Sequence, residues 1–193
     1  IIRKSQKIIT STQQEITQQY GLYQSISSEK FVVIPPSIDI DKFYPFNERR
    51  EWEVEPQKIR DGIRDRLWKF FTNMHKPMIL SLCRPEKRKN ISGLIEAYGE
   101  SKELQARANL AIFAGIRKDI TQMPDIEREV LTEMLLLMDK YNLYGKMAIP
   151  KRHDFEYEVP ELYRTAAETR GVFVNSAFNE PFGLTLIEAA SSG

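Results

Sequence analysis

Short, nearly continuous apolar runs separated by amphipathic helical stretches limit what this chain can become. Met78-Ile-Leu-Ser-Leu82 and Ala108-Asn-Leu-Ala-Ile-Phe-Ala114 have strand length, and Lys146-Met-Ala-Ile149 and residues 171–176 follow the same style. Runs without strict alternation belong to strands covered on both faces. Between them the spacing predicts helices over roughly 90–100, 125–141 and 159–169, and another opening at Gly183. Ile126, Val130, Met134, Leu137, Met138 and Tyr141 fall at helical intervals in the longest of these. Such alternation implies an α/β fold with a doubly wound parallel sheet. Ligands of these sheets sit beyond the carboxyl ends of the strands, so chemistry is expected in the loops after residues 82, 114, 149 and 177.

Upstream of residue 76 the pattern is less regular. Residues 6–12 read as a short strand. Thr12 and Glu15 form a capping-box pattern for a helix over 12–20 that Gly21 closes. Phe31-Val-Val-Ile34 reads as a second strand, ended by Pro35-Pro36, and residues 35–47 as a linker. Residues 48–71 are densely charged, with Ile59, Ile63, Leu67, Phe70 and Phe71 as a narrow apolar stripe and Trp52 and Trp68 as packing residues.

Composition excludes some classes. With 41% apolar and 28% charged residues in 193, the chain is globular rather than disordered. A net charge of +1 gives no reason to expect nucleic acid or a membrane surface as partner. Cys83, the single cysteine, excludes an internal disulfide and suits the cytoplasm. No apolar run reaches bilayer-spanning length, and no signal-peptide pattern appears. The start at Ile1 without methionine, and the end at Ser191-Ser192-Gly193, read as those of an internal piece of a longer protein.

Chemistry concentrates in two places. Cys83-Arg-Pro-Glu-Lys-Arg-Lys-Asn90 packs four cations into six positions at a strand end. Arg84 offers a planar fork to phosphate oxygens, and Lys89, just before a helix, offers a point charge. The second place is Glu180-Pro-Phe-Gly-Leu-Thr-Leu-Ile-Glu188, with two carboxylates eight residues apart across a turn. Gly183, after Phe182, opens a helix, so the amides of Gly183 and Leu184 are natural phosphate donors. Glu180 and Glu188 can only accept hydrogen bonds, which suits sugar hydroxyls: a hexose at Glu180 and a ribose at Glu188. Together these features read as a sugar-nucleotide site that requires no metal or cofactor.

Other candidates carry less. Asp39-Ile40-Asp41 matches a metal-binding D-x-D spacing but follows a Pro-Pro strand end and reads as turn chemistry. His75 reads as structural, and His153 as the border of a base. Cys83 reads as a small buried apolar residue rather than a nucleophile. The acid–aromatic loop Asp154-Phe-Glu-Tyr-Glu158 could form a rim, without an evident mechanism.

The spacing from Glu180 to Glu188 resembles the E-x(7)-E signature of retaining glycosyltransferases with the GT-B fold. Residues 76–90, 137–145, 159–164 and 171–190 resemble in particular the sucrose-phosphate synthase family, and the Ile-Thr-Ser-Thr opening and Val-Val-Ile-Pro-Pro extend the likeness over nearly the whole chain. The loop here has Glu86 where that family usually has aspartate, and Ser37 where a glycine often follows Pro-Pro. The resemblance implies two Rossmann-like domains facing each other across a cleft. Residues 1–34 would then be the tail of the acceptor domain, 35–75 the interdomain linker and charged helical region, and 76–193 the first half of the donor domain. It implies glucose transfer from UDP-glucose to fructose 6-phosphate, with Arg84 and Lys89 on the diphosphate, Glu180 on the glucose and Glu188 on the ribose. The N-terminal domain of the same chain is the implied partner, and without it this piece is expected to be inactive. Sucrose synthase or another GT-B transferase, and a non-catalytic sugar-nucleotide-binding module, remain the alternatives.

Overall fold

This computed structural model describes residues 4–23, 27–48 and 54–193. A four-stranded sheet carries the downstream part: β3 (Met78–Cys83), β4 (Asn109–Ala114), β5 (Met147–Ala148) and β6 (Val172–Phe173), in the order β5-β4-β3-β6. Every pairing is parallel, with Met78 opposite Asn109, Leu110 opposite Met147 and Ile79 opposite Val172. The expected α/β parallel architecture is therefore the observed one.

Strand alternation feeds two cores. Ile79, Leu110, Ile112, Ala114 and Met147 face α2 (Ile91–Glu100) and α4 (Asp125–Lys140), where Ile91, Ile95, Val130, Leu131, Met134 and Met138 meet them. Met78, Leu80, Leu82, Ala111, Phe113 and Ala148 face α1 (Val54–Trp68) and α5 (Glu158–Glu168), which supply Ile63, Leu67, Val159, Leu162 and Ala166. The terminal helix α6 (Leu184–Ser191) lies on this second side, with Ala189 packed against the core.

Several expectations are corrected. Ile126 is exposed, because Ile120 and Met123 of the preceding turn pack against the core where the first turn of α4 does not. Leu131 is buried instead. Trp68 is also exposed, on the rim of a groove with Arg64 and Met74, since Ile63 and Leu67 already occupy the inward face of α1. His75 is likewise exposed, its amide bonded to Asn73. Trp52 falls outside the described residues. A short helix was missed, α3 (Lys102–Arg107), which Ser101 caps by accepting from the Leu104 amide. The last strand is shorter than predicted because Asn175 turns the chain, accepting from the Ala177 amide.

Upstream, β1 (Ile8–Thr10) and β2 (Phe31–Val33) form a separate two-stranded parallel pair. The predicted helix over 12–20 is instead a π-helical turn, Glu15–Gln19, followed by a 3-10 turn, Tyr20–Leu22. Thr12 does accept from the Glu15 amide, but the Glu15 carboxylate takes the Ser11 hydroxyl and amide, which draws the box one residue back. Gly21 sits inside the 3-10 turn rather than ending an α-helix. Asp39 and Asp41 do form a turn, with the Asp41 amide donating to the Asp39 carboxylate.

The segment after Pro35-Pro36 is bound to the sheet. Phe43 is part of the second core, and Arg164 donates to the carbonyls of Lys42 and Tyr44. Arg60 and Arg164 both reach Glu161, and all three are buried.

Candidate functional site

The loop leaving β3 and the loop leaving β6 meet beyond the carboxyl end of the sheet. Ser176 donates its hydroxyl to the Lys89 carbonyl, and the Phe178 amide donates to the Arg88 carbonyl. These bonds bring together side chains 91 residues apart: Lys89 Nζ donates to Glu180 Oε2. Asn175 Nδ2 donates to the same oxygen at 3.2 Å. Burial pushes the Glu180 carboxyl up, yet the bonds from Lys89 and Asn175 outweigh it and hold the group below its usual range. Glu180 is therefore an anion beside a cation, where the two loops meet.

Gly183 stands at the start of α6 with φ +81°, a conformation that a side chain resists. A Cβ there would also lie 3.0 Å from Leu186 Cδ1 and 3.5 Å from Glu180 Cγ. The positive φ and the close approach of Leu186 are what call for glycine here, while the Glu180 distance is an ordinary contact. The first amides of α6, Gly183 and Leu184 among them, point out of the helix with no partner inside it. Phe182 is half-buried in the turn just before. Arg84 is exposed just after β3 and pairs with Glu86 of its own loop at 3.0 Å, so its present partner lies outside the Lys89–Glu180 pair.

Glu188, one turn further into α6, lives differently. It is buried and accepts from the Tyr163 phenol at 3.0 Å. Burial pushes its carboxyl up, while the Tyr163 bond and the charge of Lys42 pull it down, and burial wins. Two carboxylates of one motif therefore have opposite shifts.

The remaining loops add supports that sequence reasoning missed. Arg117, after β4, is buried and donates to the carbonyls of Ile149 at 2.8 Å and Pro150 at 3.2 Å. His153 packs edge-on against Phe113, and burial holds its pKa below the usual value. The Asp154–Glu158 loop is a turn leading into α5: Asp154 accepts from the amides of Glu156 and Tyr157, and Glu158 accepts from that of Asp154. A D-x-x-x-E spacing was the available signal. Tyr163 and Asn175 had none, because nothing local marks a residue that acts on a carboxylate elsewhere. Burial pushes the Cys83 thiol up to about 11, which leaves it a poor nucleophile. No group of three or more His, Cys, Asp or Glu among the described residues is arranged to hold a metal ion. No helix among them is long and apolar enough to cross a membrane.

Residues 63–193 match the family described as glycosyl transferases group 1. The chain is 41% identical over 214 residues to a probable sucrose-phosphate synthase 4 of Oryza sativa subsp. japonica, covering 98% of this chain and 20% of that protein. It is 40% identical over 211 residues to a probable sucrose-phosphate synthase 2 of Arabidopsis thaliana, with the same coverage. The chain thus spans about a fifth of the length of these relatives. Among solved structures, a glycosyltransferase of Rickettsia africae superposes with TM-score 0.64 at 21% identity, over 96% of this chain and 42% of that one. An α,α-trehalose 6-phosphate synthase of Burkholderia multivorans gives 0.62 at 13% identity, over all of this chain and 43% of that one. At such identities the likeness is one of fold: part of the GT-B architecture.

Proposed function

The chain belongs to the group 1 glycosyl transferases, and from that premise we propose that it forms the donor side of the cleft of a sucrose-phosphate synthase. The observation that carries this reading is the convergence of Lys89 and Glu180 at the mouth of a glycine-initiated helix. A nucleoside diphosphate-sugar needs cations at the diphosphate and acceptors at its two sugars. Arg84, Lys89 and the first amides of α6 meet the diphosphate, Glu180 the glucose and Glu188 the ribose, with Phe182 bordering the sugar.

The chemistry follows from charge. As the glycosidic bond breaks, negative charge grows on the departing UDP, and fixed cations and helix amides stabilise it where it forms. A carboxylate beside the sugar favours the positive character that develops there. This account uses no metal: two side-chain cations and the helix start supply the positive charge. Fructose 6-phosphate would enter from the facing N-terminal domain, and residues 1–34 would be the tail of that domain. The compartment is read as cytoplasmic, consistent with a single thiol. Likeness to the two plant proteins supports the choice of substrates.

The test is transfer by the full-length protein. Sucrose 6-phosphate is expected from UDP-glucose and fructose 6-phosphate, and none from these 193 residues alone. Product from unphosphorylated fructose in preference would point to sucrose synthase. Donor binding without transfer to either would leave a sugar-nucleotide-binding module. Lys89→Ala and Arg84→Ala should each weaken UDP by about 1.5–3 kcal/mol, the worth of a charge-assisted hydrogen bond. Unchanged calorimetric affinity in both would overturn the diphosphate assignment.

A further inference from the structure

Tyr163 carries a hydroxyl that packing does not need. Its ring is held edge-on by Phe173, centroids 5.3 Å apart, and tilted against Phe43 at 6.1 Å. The residue is 2% exposed, and phenylalanine would fill the same space. A buried phenol without a partner is costly, so the oxygen is tolerable only because Glu188 Oε2 receives its proton at 3.0 Å. The phenol has one proton to give, and it is given there.

We infer that Tyr163 is a positioning residue for the nucleotide, fixing the Glu188 carboxylate so that its other oxygen is presented to a ribose hydroxyl. The inference rests on the reading of Glu188 as the ribose acceptor. A glutamate side chain has three rotatable bonds, and ordering it only when the ligand arrives would weaken binding. Here the order is present beforehand. The ring cannot swing, because Phe43 lies on one side and Phe173 on another. The carboxylate is tied at one oxygen, and Lys42, from the segment that Arg164 holds down, contributes charge without a hydrogen bond. Among the described residues no other donor reaches Glu188 Oε1, so the tie leaves an acceptor for a ligand. Tyr163 never touches the substrate. It sets how much a ribose hydroxyl is worth.

The experiment is a cycle between protein and ligand. UDP, 2′-deoxy-UDP and 3′-deoxy-UDP are titrated calorimetrically into the full-length protein and its Tyr163→Phe and Glu188→Met variants. In the unaltered protein, losing the hydroxyl that Glu188 receives should cost roughly tenfold or more in affinity. In Tyr163→Phe this penalty is expected to shrink to about threefold or less: UDP weakens and the deoxy ligand hardly changes. Steady-state rates should agree, with KM for UDP-glucose rising severalfold while kcat stays within about twofold. Loss of stability alone would reduce the active fraction, hence kcat, and leave the hydroxyl penalty intact. Melting curves on the same samples check that each variant is folded, and Tyr163→Phe keeps every ring atom. If Glu188→Met abolishes the penalty while Tyr163→Phe retains it in full, the positioning role is wrong and the ribose reading stands. If Glu188→Met also retains it, the ribose reading fails, and the positioning role with it.

Discussion

Under α2 and α4 the sheet buries Ile79, Leu110, Ile112 and Met147 against aliphatic side chains; Tyr98 and Gln105 there donate to backbone carbonyls, and Gln105 also accepts from the Lys146 ammonium at 3.0 Å. Under α1, α5 and α6 the same depth holds Arg60, Glu161, Arg164, Tyr163 and Glu188, joined side chain to side chain. Among the described residues the first face buries no ion pair. The second holds two things the first does not, the segment 42–44 and the helix that carries Glu188. Buried ions are weak evidence for stability, since desolvation offsets their attraction. Their place here is better explained by what they grip. Arg164 stacks on Tyr44 at 4.1 Å and holds the carbonyls of Lys42 and Tyr44, so the chain entering the sheet layer cannot drift from α5.

The sharpest way to break this contrast is to break the ions one at a time. Glu161→Ala leaves two buried guanidinium groups without their acid and should cost about 3–5 kcal/mol in denaturant unfolding. Replacing Arg60, Glu161 and Arg164 together with apolar residues of similar volume should cost less than that single change. If the triple variant is the less stable, the ions serve stability after all. On the opposite face Leu110→Ala, which opens a cavity at a fully buried position, should cost about 2–5 kcal/mol. UDP affinity should hold in that variant, because Leu110 itself touches none of the candidate site residues and lies at the far end of its strand from the loops that carry them.

Legibility divides along the same line. Strands β3 and β4 and helices α2, α4 and α5 could be read because one-sided helices and unbroken apolar strands repeat a local signal over many residues. The expectation failed where a neighbour in space decided the matter. Ile126 lost its place to Ile120 and Met123, and Trp68 had none once Ile63 and Leu67 had filled the inward face. Residues 35–47 read as a linker because they lack periodicity; that Phe43 packs into the core and that the carbonyls beside it are bonded to Arg164 leaves no compositional trace. At the candidate site, Glu180, Gly183 and Glu188 sit on one short motif that the sequence marks as a unit. Asn175 and Tyr163 belong to it only through folding.

Lys89 hangs from the loop that feeds α2, and Glu180 from the loop that feeds α6, so their ion pair joins the two faces at the crevice. On the proposed assignment of Lys89 to the diphosphate, that pair loosens when the ligand competes for Lys89. Glu180→Gln therefore should not weaken UDP: calorimetric affinity is expected to stay level or rise by a few fold, while kcat falls by roughly tenfold or more from loss of a charged contact to the sugar. A fall in UDP affinity matching the fall in kcat would place Glu180 on the nucleotide instead, and the two loops would then share one role.

The smallest expected effect is the most discriminating for the polar face. Glu188 has its folded-state pKa raised, chiefly by burial. Between the unfolded and the folded value the native state holds more proton than the unfolded one, so stability falls as pH rises through that window. Above it the ionised carboxylate is a standing cost, one the site accepts if charge at Glu188 serves the ligand. Glu188→Gln keeps an acceptor for Tyr163 and removes the charge. Its melting temperature at neutral pH should therefore equal or modestly exceed that of the unaltered protein, and the difference should vanish below the ordinary carboxylate range. UDP affinity should drop in the same variant. A variant less stable at neutral pH would mean that Lys42 and Tyr163 more than repay the burial of the charge. Glu188 would then belong with Glu161, as structure first.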